Sequence, residues 1–218
     1  RGLPQARRRD LEAAKGLIRI AEAEPHDDHH AEGEEQGHRA CMDPHVWLDP
    51  VLARQIVAAI AEAMAAADPD GAEWYRGNAA AYDAQLAALH ERIETTLRTA
   101  RHRTLLYGGH FAFGYFARRY GLEHRSPYRG FAPNAAPTAR AIAEMIRAMQ
   151  ETGLRVIFHE ELIEPHVARI IAEQTGAQLV PLHGAHNLSR AEAERGNVTY
   201  LSIMEQNLER LKAGLDAK

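Results

Sequence analysis

At 218 residues the chain is long enough for one large domain or two small ones, and its 45% apolar content suits a globular protein with a buried core. A net charge of −4 leaves no basic surface broad enough for nucleic acid, so ARRRD (6–10) and RTARHR (98–103) read as solvated helix faces. The single cysteine, Cys41, excludes an internal disulfide and a cysteine-based zinc site, and no apolar run approaches the ~20 residues of a membrane span.

The first stretch, PQARRRDLEAAKG, predicts a helix closed by Gly16, with LIRIAEA after it as a short strand. It has no signal-peptide pattern and leaves export open. Residues 25–40 hold five acids, four histidines and two glycines with almost nothing apolar, which predicts a mobile loop. Then comes CMDPHVWLDP (41–50), where Asp43, Pro44, His45, Trp47, Asp49 and Pro50 crowd together. Two prolines do not suit a helix interior and a tryptophan does not suit a plain surface loop, so His45 is held in place by packing or by a ligand. PVLARQIVAAIAEAMAAADP (50–69) predicts a helix with Asp49 as N-cap and Pro50 in its first turn, ended by Asp68-Pro69.

Residues 71–100 carry a second helical pattern, with Trp74, Tyr75, Tyr82, Leu86, Leu89, Ile93 and Leu97 at spacings of three, four and seven. At ~1.5 Å per residue it would run roughly 45 Å, which suits a connector between two lobes. Beyond it the texture alternates. TLLYGG precedes HFAFGYFARRYG, EHRSPYRGF precedes PTARAIAEMIRAMQETG, RVIFH precedes EPHVARIIAEQTG, and QLVPLHG precedes TYLSIMEQNLERLKAGL. Four strand–helix units predict a parallel sheet with helices packed on it, and Gly121, Gly153 and Gly176 sit where helices should stop.

In an open parallel sheet, ligands bind beyond the carboxyl ends of the strands. His110 follows LLYGG, His159 follows VIF, and His183 follows LVPL with His186 three residues on. With His45 on its proline-stiffened loop, these histidines point to a metal site; three or four imidazoles suit Zn2+, and a carboxylate-richer set would suit Mn2+. The total of 13 histidines fits that reading, imidazole being the commonest metal ligand. A zinc-dependent hydrolase is the competing class, but HEELIEPH (159–166) spaces its histidines by seven and is interrupted by Pro165, and YGGH lacks the spacing and lysine of a phosphate loop. A third class is a protein that only sequesters metal on residues 26–38.

DPHVWLDP, GHFAFGYFARRYGL (109–122) and the ending TYLSIMEQNLERL together resemble the metal-capturing subunits of bacterial zinc and manganese ABC importers, the cluster A-I solute-binding proteins. The resemblance runs from about residue 10 to the end. It implies an exported, two-lobed α/β protein, its parallel-sheet lobes joined by one long rigid helix. A single ion between the lobes is handed to a membrane permease. It places metal ligands at His45 and His110, and at His186, where HNLS stands for the family's Asp-containing pattern; His183 is the competitor. Phe111 stands where an aspartate usually follows the second ligand. His159 has no counterpart among the family ligands, and Glu160 or Glu161 would instead orient an imidazole. The His- and acid-rich loop before the first motif is typical of zinc importers, which favours Zn2+ over Mn2+. The family's earliest ligand is a histidine of the first lobe, and no histidine precedes residue 26 here, so most of that lobe is expected to be absent from the chain. The expected division is residues 1–70 as the partial first lobe with its loop at 25–40, 71–102 as the connecting helix, and 103–218 as a complete α/β lobe. The resemblance also implies a monomer, outside the cytoplasm and not an enzyme.

Overall fold

A computed structural model describes residues 11–17, 42–128 and 137–218. Of the helix expected near the start, residues 13–17 form turns, with Lys15 and Leu17 amides bonded to the carbonyls of Glu12 and Ala14. The rest of that helix, the strand after Leu17 and the loop at 25–40 lie outside the described residues.

A 3-10 turn, Val46–Leu48, leads into helix α1, Pro50–Ala67, whose first turn is closed by the Asp49 side chain accepting from the Val51 amide. By length and composition α1 alone among the described helices could cross a membrane, a feature the sequence reading missed. Its buried positions are Pro50, Ala53, Ala61 and Ala65, and α1 packs along α2, Ala72–Arg98. Two exposed ion pairs, Arg54–Asp83 at 2.6 Å and Arg76–Glu62 at 2.7 Å, tie the two helices together. Such pairs contribute about 0–1 kcal/mol each.

The apolar stripe expected along α2 is buried only in its second half, at Leu86, Leu89, Ile93 and Leu97. Trp74 is 67% exposed, because the first half packs on α1 alone while the second half enters the main core. The spacing of the aromatic residues fits a helix face, but no second layer covers that end among the described residues.

The remaining elements follow the expected alternation: β1 Thr104–Leu106, α3 Gly114–Tyr120, β2 Glu123–Arg125, α4 Ala139–Thr152, β3 Val156–His159, α5 His166–Thr175, β4 Gln178–Pro181, a short α6 Arg190–Arg195, and α7 Tyr200–Gly214. β1 pairs with β2 and β3 with β4, both parallel, and a parallel bridge from Tyr107 to Phe158 joins the pairs in the order β2–β1–β3–β4. Side-chain alternation along the strands then makes two cores. Leu105, Tyr107, Val156 and Phe158 face α2, α3 and α7; Leu106 and Ile157 face α4 and α5. Gly121, Gly153 and Gly176 end α3, α4 and α5 in the left-handed conformation, as their positions in the sequence predict.

The chain leaves β1 toward β2 on one side and later enters β3 on the other, so the β1/β3 boundary is where the winding reverses. Open α/β sheets bind ligands at that point. Gly108 lies at this boundary, bonded to β3 and packed closely against α5. Its amide donates to the Phe158 carbonyl at 2.7 Å, and a Cβ on it would lie 2.4 Å from the Ala168 Cβ and 2.7 Å from the Ala168 Cα on α5. Gly108→Ala is expected to destabilise the fold by about 2–3 kcal/mol through overpacking. A urea midpoint equal to wild type would show that α5 can yield there.

Candidate metal centre

The loop before α1 is fixed from several directions. The Asp43 side chain is fully buried; its Oδ1 accepts the His45 amide at 2.9 Å and stands 2.7 Å from His45 Nδ1. With the proton on Nδ1, that contact fixes the ring and leaves Nε2 as the atom able to bind a metal. The Tyr115 hydroxyl donates to the Asp43 carbonyl at 3.1 Å, and the Tyr200 hydroxyl donates to the Trp47 carbonyl at 2.7 Å. The Trp47 indole N–H donates to the Gly184 carbonyl at 2.8 Å, and Arg119 makes a forked contact with Asp49, Nε and Nη2 each 2.8 Å from Oδ2. Packing and hydrogen bonds therefore hold this loop without help from a ligand.

His110 stands beyond the end of β1 and before α3. Its ring centroid is 5.5 Å from that of His45, and the His186 ring centroid is 6.3 Å from that of His45. Trp47 lies against both, 5.3 Å from His45 and 6.1 Å from His186. Two imidazoles bound to one tetrahedral zinc at ~2.0–2.1 Å put their centroids about 5 Å apart. His45 and His110 are near that spacing as they stand, and His186 is about 1 Å wider. Among the described residues no three His, Cys, Asp or Glu side chains converge on a single point. His186 is 43% exposed on its loop.

The other two strand-end histidines make local contacts. His159 Nδ1 lies 2.8 Å from the Glu160 carbonyl oxygen. His183 is buried; its backbone is held on both sides by Asn207, and its Nδ1 accepts the Ala185 amide at 2.9 Å. Its Nε2 lies 3.9 Å from Glu192 Oε1 and is buried with no hydrogen-bond partner among the described residues. Where an aspartate is usual in the resembled family, Phe111 stacks flat on His124, with centroids 3.8 Å apart. Burial pushes the His124 imidazole down, an effect that Asp43 partly opposes.

Two carboxylates from the loop after β3 complete the surroundings. Burial holds Glu160 above the usual carboxylate range, the His110 amide draws it down, and Glu161 pushes it up again. Burial, with Glu160 and Glu161 beside it, also drives the Tyr107 phenol well above its usual range. Glu161 Oε1 lies 3.5 Å from His183 Nδ1 and 4.0 Å from His186 Nδ1.

Sequence reasoning did not assign roles to Asp43, Tyr115, Arg119 or Tyr200. One signal was available: Tyr115 and Arg119 are four residues apart on α3, hence on one face, and both reach the His45 loop.

Residues 2–214 match the family model described as zinc-uptake complex component A, periplasmic (ZnuA). The chain is 37% identical over 177 residues to the high-affinity zinc uptake system protein ZnuA of Bacillus subtilis (strain 168), covering 81% of this chain. It is 32% identical over 200 residues to the zinc-binding protein AdcA of Streptococcus pyogenes, covering 88% of this chain. It spans 54% of the first relative's length and 38% of the second's. Among solved structures it is similar to the metal-dependent lipoprotein YcdH of Bacillus subtilis, with 35% identity and a TM-score of 0.72, covering 94% of this chain and 70% of that one. It is also similar to the Zn(II)-bound ZnuA-like domain of Streptococcus pneumoniae AdcA, with 31% identity and a TM-score of 0.68, covering 80% of this chain and 64% of that one.

Proposed function

The chain belongs to the periplasmic zinc-uptake component A family, and on that footing we propose that it captures Zn2+ outside the cytoplasm and delivers it to a membrane ABC importer. The observation that carries this reading is the approach of the His45, His110 and His186 rings, with His45 already oriented by Asp43. His45 Nε2, His110 and His186 are the proposed donors to the ion, which is cargo and not a resident cofactor. A nitrogen-rich set suits zinc better than manganese. The names of the relatives, zinc uptake and zinc binding, support the same choice.

In this reading α2 links a first lobe, of which residues up to 70 are part, to the α/β lobe of residues 103–218. The anchored loop and the packed α2 favour small, loop-led closure on the ion. The protein acts as a monomer and without turnover. Residues 26–38, outside the described region, collect zinc weakly, because each contact there also carries an ordering cost.

The test is a zinc titration of the chain with and without residues 26–38, run alongside ester and peptide hydrolysis assays. One tight ion per chain should survive the deletion, fewer ions should bind in excess zinc, and no metal-dependent turnover should appear. Loss of all binding with the segment would reduce the protein to a surface sequestrant, and metal-dependent hydrolysis would make it an enzyme.

A further inference from the structure

The residues on either side of His110 are both held from the end of β2. Phe111 is buried and lies flat on His124, with ring centroids 3.8 Å apart and planes 5° from parallel. Tyr107 meets the same Phe111 ring edge-on at 5.5 Å. On the other flank the Ser126 hydroxyl donates to the Gly109 carbonyl at 2.8 Å, and it accepts the Tyr128 amide at 3.1 Å. His124 and Ser126 are two residues apart on extended chain, so their side chains leave it on one face. β2 is an edge strand with all three residues exposed, and the one ring it carries covers Phe111.

A residue whose two neighbours are fixed has little freedom left in its own φ and ψ, and the direction of its side chain follows from them. The His110 amide is held as well, by the Glu160 carboxylate. We propose that His124 and Ser126 are positioning residues for metal capture, a clamp on Phe111 and Gly109 that sets where the His110 imidazole stands. This rests on the reading of His110 as a donor to the ion. Phe111 has no polar atom to offer that imidazole, so here a ring stack fixes the backbone beside the donor, where a carboxylate could have bonded to the donor itself. A donor ordered by the fold does not have to be ordered by the ion, so the clamp strengthens binding without touching the metal.

The experiment uses His124→Ala, His124→Phe, Ser126→Ala and His110→Ala in the full chain. Zinc affinity is measured by competition with a chromophoric chelator, the visible absorption of the cobalt-loaded protein reports the ligand geometry, and urea unfolding reports the fold. His124→Ala should shift the cobalt bands and weaken zinc about fivefold, less than the ~10–100-fold typical of a group bonded to a metal ligand. Ser126→Ala, which frees only the Gly109 carbonyl, should weaken zinc about threefold. His124→Phe keeps a flat ring on Phe111 and should bind zinc within about twofold of wild type. Wild-type affinity and cobalt bands in both alanine variants at β2, with His110→Ala still impaired, would overturn the clamp. So would a loss of affinity in His124→Ala that follows a lower urea midpoint, leaves the cobalt bands in place and is not recovered by His124→Phe. Wild-type affinity in His110→Ala would instead overturn the reading of the site, and the clamp would fall with it.

Discussion

Alanine at His45 or at His110 is expected to weaken zinc binding at least tenfold, about 1.4 kcal/mol or more. The two rings stand 5.5 Å apart, close to the spacing of two imidazoles on one zinc, so neither has far to move when the ion arrives. That preorganisation is what the substitutions remove. At His45 the Asp43 carboxylate fixes both the tautomer and the ring plane, and His45→Ala leaves a fully buried carboxylate facing a void as well as removing a donor. His110 sits between β1 and α3 at the point where the sheet reverses its winding, so its backbone position is set by the fold rather than by the ion. His186, 43% exposed on its loop, should contribute less by this argument. The measurement is a competitive zinc titration of each variant, with circular dichroism to confirm that the fold persists. Wild-type affinity in both variants would remove His45 and His110 from the site.

How much of this could be read from the sequence depends on how local the cause is. Asp49 before Pro50, and glycines at 121, 153 and 176, are signals whose physics is complete within a few residues, and the helix boundaries follow them. The gathering of His110, Glu160 and Glu161 at one edge follows from parallel strand–helix alternation, a rule of topology that needs no contact map. Ser189 and Glu192 form a capping box at the start of α6, a local signature that went unread because the helix is only six residues long. The surroundings of His183 are a different matter. They depend on Asn207 holding its backbone across 24 residues, and on the contact of the Ala185 amide with its ring. Neither has a periodic signature. Trp74 shows the opposite failure, since it fits a helical stripe and is still left outside because nothing described packs over that end of α2.

Asp49→Ala is expected to destabilise the protein by about 3 kcal/mol and to weaken zinc binding as well. Asp49 is 2% exposed and does two things at once. It caps α1 through the Val51 amide, and losing a cap costs about 1 kcal/mol. It also carries the forked contact with Arg119, and breaking a buried pair costs about 3–5 kcal/mol when the remaining charge stays buried. Arg119 is 34% exposed and can turn toward water, which puts its share below that range. Asp49→Asn separates the two effects: asparagine still caps a helix, so it should recover about 1 kcal/mol relative to alanine without restoring the ion pair. The link to zinc runs through α3. Tyr115 holds the Asp43 end of the loop and Arg119 holds the Asp49 end, and both stand on the helix that begins four residues after His110. Releasing one end lets His45 drift relative to His110, so the ion must then order what the fold had ordered before. Urea unfolding and zinc competition on the same preparations give both readings. An Asp49→Ala protein with the wild-type unfolding midpoint and wild-type zinc affinity would mean that Tyr115, Tyr200 and Gly184 hold the loop without Arg119.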